Sequence, residues 1–509
     1  MSIRSKSSLI AVCAALVSGA CAQFSGPAPL AWRWAQPTSV APGGAMATDG
    51  TTLFAAVGNR IYAIDRITGN QRWRFPTAEP LDSNFRTGTV LGDGIVVAAA
   101  DNRTLYGIDA TTGASKWTYN TTATVVGAPI MVGKYVVFAM SDNTLMAIYA
   151  NDGTAAWIAP QRVFDGIQGF ISSYLDNIIF VTQRQELVSV NVGSQNKNWG
   201  QKFAVLNGDV KPTIFGDQVY LSSSTFLVTV SAIDGRKRWQ VDAQMPLLRN
   251  PSVNSTGVAV STRDGRLMVF DLSGRRVLKQ PFNVGSIAAV DPLIVGDFAA
   301  IGSQNGELSM INVKTGELVW NYLVPPLVKT TPAAAEGSAA AKPEFVQAAI
   351  APLLISDSIY VVGRDGSILS FDRKNGVDLT PPEIKMLYPN PGEAVKGKPP
   401  FDVFFQIDDI ASGLNTRTLK IEVDGTVCES TKTREGYTLV RFSLDGKNKP
   451  LQNGRRMFKV TASDWLGNTA VKEFALIIDA SIPDSKPATN NPRTGPGPGR
   501  GGPSDGSRG

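Results

Sequence analysis

From about Thr52 onward, short apolar runs alternate with clusters of turn-forming residues, and the runs are too brief for helices, so the pattern predicts strands. The pattern also repeats. RIYAIDRITGNQRW (Arg60 to Trp73) returns as TLYGIDATTGASKW (Thr104 to Trp117), TLMAIYANDGTAAW (Thr144 to Trp157), ELVSVNVGSQNKNW (Glu186 to Trp199), FLVTVSAIDGRKRW (Phe226 to Trp239) and ELSMINVKTGELVW (Glu307 to Trp320). RLMVFDLSGRRVL (Arg266 to Leu278) is one residue short and has lost its Trp, and GSILSFDRKNG (Gly366 to Gly376) stops before that position. Aligned on the Asp of the first copy, the anchors are Asp65, Asp109, Tyr149, Asn191, Ser231, Asp271, Asn312 and Asp372, spaced by 40 to 44 residues except for a last interval of 60. In five copies a Pro lies 19 or 20 residues upstream (Pro129, Pro212, Pro251, Pro292, Pro352) and opens a further apolar run. Each copy therefore predicts four strands, with Asp-Gly and Asn-Gly hairpins such as Asp264-Gly265, Asn305-Gly306 and Asp365-Gly366 between the second and third. A period of about 40 residues carrying four strands is that of a β-propeller blade.

Counting blades tests the idea. The eighth copy lacks an outer Trp strand, and an orphan strand-like segment, Leu30-Ala31-Trp32-Arg33-Trp34, precedes the first copy. If that segment completes the last blade, the ring closes and no sheet edge is left open. The expected fold is all-β: an eight-bladed β-propeller of four-stranded blades over residues 23–379, its N-terminal strand closing the last blade. The long interval holds an Ala- and Pro-rich insertion, residues 325–347, expected to be a flexible loop. At Thr380-Pro381-Pro382 the pattern changes, and residues 380–479 carry about seven shorter runs, among them FDVFFQI, LKIEVDG and VKEFALIID, which predict a β-sandwich. Residues 480–509 hold almost no hydrophobic side chains and are expected to be disordered.

Composition narrows the chemistry. The 509 residues include no His, which excludes a Ser-His-Asp triad, a Cys-His dyad and any His-ligated metal. Three Cys are too few for a disulfide scaffold. Residues 1–22 read as an export signal, with Arg4 and Lys6, an apolar Leu9 to Val17 and small residues before Gln23. Two processings stay open: cleavage before Gln23, or lipidation of Cys21 as the first residue of a lipoprotein. The expected location is the periplasm, with outer-membrane anchoring through Cys21 or display on the cell surface as variants. A formal charge of +6 without a basic run gives no reason to expect nucleic-acid binding. The repeated Trp residues are expected to pack between blades, and Asp65, Asp109, Asp271 and Asp372 to cap turns. A functional site should break the repeat, because packing is shared by all blades and function is local.

This repeat resembles that of the PQQ-like propeller family, whose recurring phrase is roughly P-V-V and then G-x-V-Y-A-L-D-x-x-T-G-x-x-x-W, over Ala31 to about Leu379. That family holds quinone-dependent dehydrogenases and non-enzymatic scaffolds. A dehydrogenase would need PQQ, calcium and a catalytic Asp, and the loop acids here (Asp82, Asp165, Asp209) are scattered singly, so no enzyme and no cofactor are expected. The connection VDAQMPLLRNPSV (Val241 to Val253) departs from the repeat and places Leu247 and Leu248 beside Arg249. Apolar residues next to an Arg suit a protein-protein hot spot, although the leucines can also fold inward over the channel. This loop is similar to the partner-contacting loop of the BamB-type outer-membrane assembly lipoproteins. The resemblance implies Leu247, Leu248, Arg249 and Asp291 as partner-binding residues, and a β-barrel assembly protein as the partner. The loop follows the fifth repeat here rather than the third. Residues 380–479 resemble bacterial immunoglobulin-like domains, through Asp409…Ser412-Gly413-Leu414 and the closing Asp464…Gly467-Asn468-Thr469 hairpin. The acids Asp408, Asp409 and Asp464 are calcium candidates on the same resemblance. An adhesion or polysaccharide-binding role is the alternative function.

Overall fold

The computed structural model describes residues 26–35, 40–206, 210–326, 345–433 and 436–483. The expected export signal with Cys21, most of the 325–347 insertion, and the tail from residue 484 lie outside the described residues. Among the described residues there are strands and turns and no helix. Eight four-stranded antiparallel sheets follow one another along the chain. The first is Ala47–Thr48, Thr52–Val57, Arg60–Asp65 and Gln71–Phe75, ordered from the ring's centre outward. The eighth is Leu353–Ile355, Ser358–Val362 and Ile368–Phe371, completed on its outer side by Leu30–Trp34. That last pairing is antiparallel, with Trp34 opposite Ile368 and Leu30 opposite Phe371. The ring is thus closed by the N-terminal strand, as the sequence requires.

Burial explains the composition of each strand. The second strands of the blades are covered on both faces by neighbouring blades, so Thr52–Val57 and Ile95–Ala100 are buried at every position. Sheets covered on both sides read as continuous apolar runs rather than as alternation. The outer strands face water, and in Gln71–Phe75 only Trp73 is buried. Each such indole reaches the turn of the next blade. Trp73 donates its Nε1–H to the carbonyl of Ala110 at 2.9 Å, Trp117 to Ala150 at 2.9 Å, Trp157 to Val192 at 2.7 Å, Trp199 to Ala232 at 3.2 Å and Trp239 to Leu272 at 2.9 Å. Trp32, on the closing strand, does the same to Arg66 of blade 1 at 3.2 Å. The turns are built to receive them. Asp65 Oδ1 accepts N–H bonds from Ile67 and Thr68, and Gly69 (φ +72°) lets the Trp32 ring lie against its backbone. The Asp65 carboxyl is held down at about 2, first by Arg72 and then by the Thr68 amide.

Residues 383–478 form two further sheets. One orders Glu383–Tyr388, Phe401–Asp408, Thr438–Phe442 and Thr431–Lys432, and the other orders Ala394–Val395, Thr469–Ile478, Gly454–Asp464, Leu414–Val423 and Thr426–Cys428. Phe401–Asp408 alternates buried and half-buried positions, so one face goes inward. Val403, Phe405 and Ile407 meet Ile421, Phe458, Val460 and Leu476 of the second sheet in one core, which makes this part a sandwich.

One tryptophan behaves differently. Trp320 of blade 7 was expected to dock on the next blade, but donates instead to the carbonyl of Ser412 in the sandwich at 3.1 Å. The matching turn of blade 8 is already covered by the N-terminal segment: Asp372 N–H bonds the Pro29 carbonyl, and Pro29 lies against Gly376. With that place taken, the sandwich supplies a substitute. Its loop Asp409-Ile410-Ala411-Ser412-Gly413 repeats the Asp-x-x-Thr-Gly plan of the blade turns, with Asp409 Oδ1 accepting the Ala411, Ser412 and Gly413 N–H groups.

Candidate functional site

Two places depart from the repeat, the seam between sandwich and ring and the connection from blade 5 to blade 6. At the seam, three successive loop carbonyls each receive a donor from the propeller: Ile410 from the Tyr322 hydroxyl at 2.7 Å, Ala411 from the Leu30 N–H at 2.7 Å and Ser412 from Trp320. Burial pushes the Tyr322 hydroxyl well above its ordinary pKa, so it stays a donor. Trp465 answers in the other direction, donating to the Asn321 carbonyl at 3.1 Å, and Lys432 pairs with Glu307 at 3.3 Å.

Below that loop the carboxylates of Asp378, Asp409 and Asp464 converge, with one oxygen of each within 4.8 Å of the others. Each already serves a turn. Asp378 accepts from Thr380 and from the Ser412 hydroxyl (2.5 Å), and Asp464 accepts from the Leu466 and Asn468 amides. Burial raises the Asp409 pKa, with Asp378 and Asp464 adding repulsion, whereas the Asp378 pKa is lowered because its hydrogen bonds outweigh its burial. Of the calcium candidates, Asp409 and Asp464 come together, whereas Asp408 is turned to Gln406, whose amide it accepts at 2.5 Å. Asp378 was not foreseen, because it lies in the linker just after the last repeat, where nothing in the sequence marks it. Of the loop acids that a quinone enzyme would use, Asp165 pairs with Arg184 at 3.1 Å, and Asp209 lies outside the described residues. Among the described residues the Asp378 trio is the sole grouping of three such side chains whose ligand atoms come this close.

The blade 5 to blade 6 connection runs along the top face. Leu247 forms an isolated bridge with Thr262, its N–H bonds the Ser224 carbonyl, and Leu248 N–H bonds the Ser261 carbonyl. Other connections make the same bridge at the equivalent place: Phe85 with Ala100, Ala288 with Ser303, Ala348 with Gly363. All three are buried, and so is Leu247, at 5% exposure. The expectation that Leu247 departs from the repeat is therefore corrected. It fills a packing position shared by several blades, lying four residues before Pro251 as Ala288 and Ala348 lie four before Pro292 and Pro352. Leu248 is half-buried and packs against the apolar cluster that blades 6 and 7 share.

Arg249 is the true departure. It stands where the connections with the same bridge carry Gly44, Thr87, Val290 and Ile350, none of them charged, and it is half-exposed. Its Nε and Nη2 donate to the Ala288 carbonyl at 3.3 and 3.2 Å, which holds the guanidinium across the blade 6–7 junction. Asp291, one repeat after Asn250, accepts the Asn250 N–H at 3.1 Å and its side-chain amide at 3.2 Å. The geometry thus brings Leu248, Arg249 and Asp291 onto neighbouring loops of one face, with Leu247 beneath them.

A protein-family model described as outer membrane protein assembly factor BamB matches residues 57–203 and 183–391. Among curated proteins, the BamB of Yersinia pestis is 24% identical over 187 residues, which is 36% of this chain and 44% of that protein. The BamB of Shewanella oneidensis is 26% identical over 185 residues, 33% of this chain and 41% of that protein. The matched stretches thus span less than half the length of these relatives. Among solved structures, BamB from Moraxella catarrhalis superposes with a TM-score of 0.52 at 14% identity, covering 69% of this chain and 98% of that one. Saccharomyces cerevisiae Sqt1 gives 0.50 at 12% identity, covering 68% and 99%. These likenesses at low identity bear on the fold alone, and they agree with a ring of blades over the first two thirds of the chain.

Proposed function

The chain belongs to the family of outer membrane protein assembly factor BamB, and from that premise we propose that it is a non-catalytic scaffold of the bacterial envelope that holds a β-barrel assembly protein on its top face. The observation that carries the reading is Arg249, a charged side chain at a repeat position that is uncharged in the other bridged connections, braced by the Ala288 carbonyl at the surface. Leu248 and Asp291 stand beside it, and Leu247 anchors the loop from below. A guanidinium held in place by the fold, with apolar neighbours, is the composition of a binding hot spot. The location that follows is the periplasm, on the inner side of the outer membrane. The adhesion reading would use sandwich loops, yet the 409–413 loop and Trp465 are already occupied by the docking on blade 7.

The test is photo-crosslinking in cells from position 248, with capture and identification of the attached protein. An outer-membrane assembly protein is expected at that position, and the adduct should be lost with Arg249→Glu. An adduct that is unspecific, or that survives Arg249→Glu, refutes the reading.

A further inference from the structure

The third strand of blade 8 starts near Gly363, which Ala348 bridges on the top face, and ends at Asp372 on the opposite, lower face. The turn there runs into the linker to the sandwich, and burial in that linker is inverted. Asp378 is 6% exposed, while its apolar neighbours Val377 (75%) and Leu379 (82%) face water. The two loops that meet Asp378 do the same. Ile410 follows Asp409 and is 69% exposed, and Leu466, two residues after Asp464, is exposed as well. The seam uses Ile410 through its carbonyl, which accepts from Tyr322, and leaves the side chain outside. Because the three carboxylates converge to within 4.8 Å, all four aliphatic side chains branch one or two residues from a single buried point. Lone exposed aliphatics are ordinary on a protein surface, but a group of them marks a contact with protein or membrane.

The course of the N-terminal segment says which. The described chain begins at Gly26, where a Cβ would lie 3.5 Å from Arg373 Nη2, and Arg373 Nε donates to the Pro27 carbonyl at 3.4 Å. Leu30 N–H then bonds Ala411, next to Ile410. Five residues lead from Cys21 to Gly26, at most about 18 Å of fully extended chain. A lipid on Cys21 therefore holds this edge, and not the Arg249 face, close to a bilayer. Arg373 and Lys374 are exposed on the same turn, Lys374 paired with Asp357 at 2.6 Å, so cations flank the aliphatic group as they do in interfacial segments. We propose that Val377, Leu379 and Ile410, with Leu466 at their margin, form a membrane-contact surface that rests in the headgroup region of the bilayer in which lipidated Cys21 is anchored. The contact turns the lower face of the ring to the lipid and the Arg249 loop away from it. It goes beyond the scaffold reading and does not depend on what that loop binds.

The test uses the exported chain purified from envelopes and reconstituted into vesicles of phosphatidylethanolamine and phosphatidylglycerol. In a Cys428→Ser background, Leu379→Cys and Ile410→Cys are labelled in turn with a fluorescent dye, and Phe164→Cys, exposed in the connection from blade 3 to blade 4, is the control. An interfacial side chain sits about 5–10 Å into the headgroup boundary, so lipids spin-labelled near the headgroup should quench the dyes at 379 and 410 about threefold more than the dye at 164. Adding Val377→Asp should reduce the quenching at 379 by about half or more, because a charge resists entry into the apolar boundary. Equal quenching at 379 and 164, or none at 379 and 410, overturns the proposal. So does an intact mass showing that the exported chain begins at Gln23 and carries no lipid. In cells, a diazirine side chain at position 379 should give lipid adducts. A specific protein adduct there instead makes the edge a protein site and overturns the membrane contact. The crosslink from position 248 reads the opposite face, so the failure of either reading is seen separately from that of the other.

Discussion

Replacing Trp320 by Phe would cut one hydrogen bond at the seam between ring and sandwich and leave most of the packing in place. The indole is 2% exposed, stacks on Tyr322 with ring centres 5.9 Å apart and meets Phe371 edge-on at 5.0 Å. A phenyl ring retains most of these contacts. What it cannot do is donate to the Ser412 carbonyl, which belongs to a fully buried residue. An unpaired buried acceptor costs about 1–3 kcal/mol. At about 1.4 kcal/mol per decade, the population of the open seam should rise roughly 5- to 150-fold. The Ala411, Ser412 and Gly413 amides report on it, since their bonds to Asp409 Oδ1, at 2.8 to 3.1 Å, lie within the loop, and Ser412 and Gly413 are buried while the loop is docked and open to water when it lifts. Native-state hydrogen exchange read by mass spectrometry over this loop is the assay. Trp239→Phe is the control, because it removes the equivalent bond to Leu272 within the ring and should accelerate exchange near that turn alone. If Trp320→Phe leaves the 409–413 loop as protected as before, or if Trp239→Phe exposes it equally, the seam does not depend on this bond.

Two further perturbations follow from the same turns. Asp409 has a folded-state pKa above its ordinary value, through burial first and then the nearby Asp378 and Asp464 charges. A carboxylate raised in this way supports the folded seam while protonated, and that support is lost as pH climbs from the ordinary carboxylate range through the raised value. Asp409→Asn keeps the Oδ1 acceptor and removes the charge, so the melting midpoint should match or exceed wild type at pH 7 and vary less between pH 4 and 8. A variant midpoint well below wild type at pH 7 would show that the charge itself stabilises the seam. In blade 1, a Cβ on Gly69 would lie 2.6 Å from the Trp32 ring at φ +72°, whereas one on Gly50, at φ +88°, would meet nothing within 4 Å. Both Ala variants incur roughly 1–2 kcal/mol of left-handed strain, so chemical denaturation should show Gly69→Ala as the more damaging, and equal losses would mean that the Trp32 contact contributes nothing.

The ring was legible because its information is repeated. Eight anchors at near-constant spacing give the blades, and the orphan Leu30–Trp34 gives the closure without any long-range inference. The sandwich was legible as a second region of short runs, since Phe401–Asp408 alternates visibly. What stayed hidden is whatever depends on the meeting of two segments that carry no common pattern. Trp320 looks like every other docking tryptophan in the sequence, and only the occupation of the blade 8 turn by Pro29 sends it to the sandwich. The Leu247 error had a different cause. Its equivalence to Ala288 and Ala348 was readable from the four-residue offset to the following Pro, but a Leu in place of an Ala drew attention to chemistry where the difference is one of size.

The two departures from the repeat share a physical logic. In a closed ring of like blades the outer Trp indoles are engaged by the turn of the next blade, so a new partner needs either a displaced repeat contact or a changed side chain on a loop. At blade 7 the first device operates: the N-terminal segment occupies the turn that would receive Trp320, and the freed indole becomes the anchor for the sandwich. At blade 6 the second operates: an uncharged repeat position becomes Arg249 while Leu247 keeps the shared bridge, so the charge is presented without loosening the ring beneath it. Because the anchor and the charge belong to different blades and share no hydrogen bond, loosening the seam should leave the Arg249 loop in place. A Trp320→Phe chain that still gives the position 248 adduct at full yield, while its 409–413 amides exchange faster, would establish that independence. Loss of both together would mean that the sandwich helps to hold the binding face.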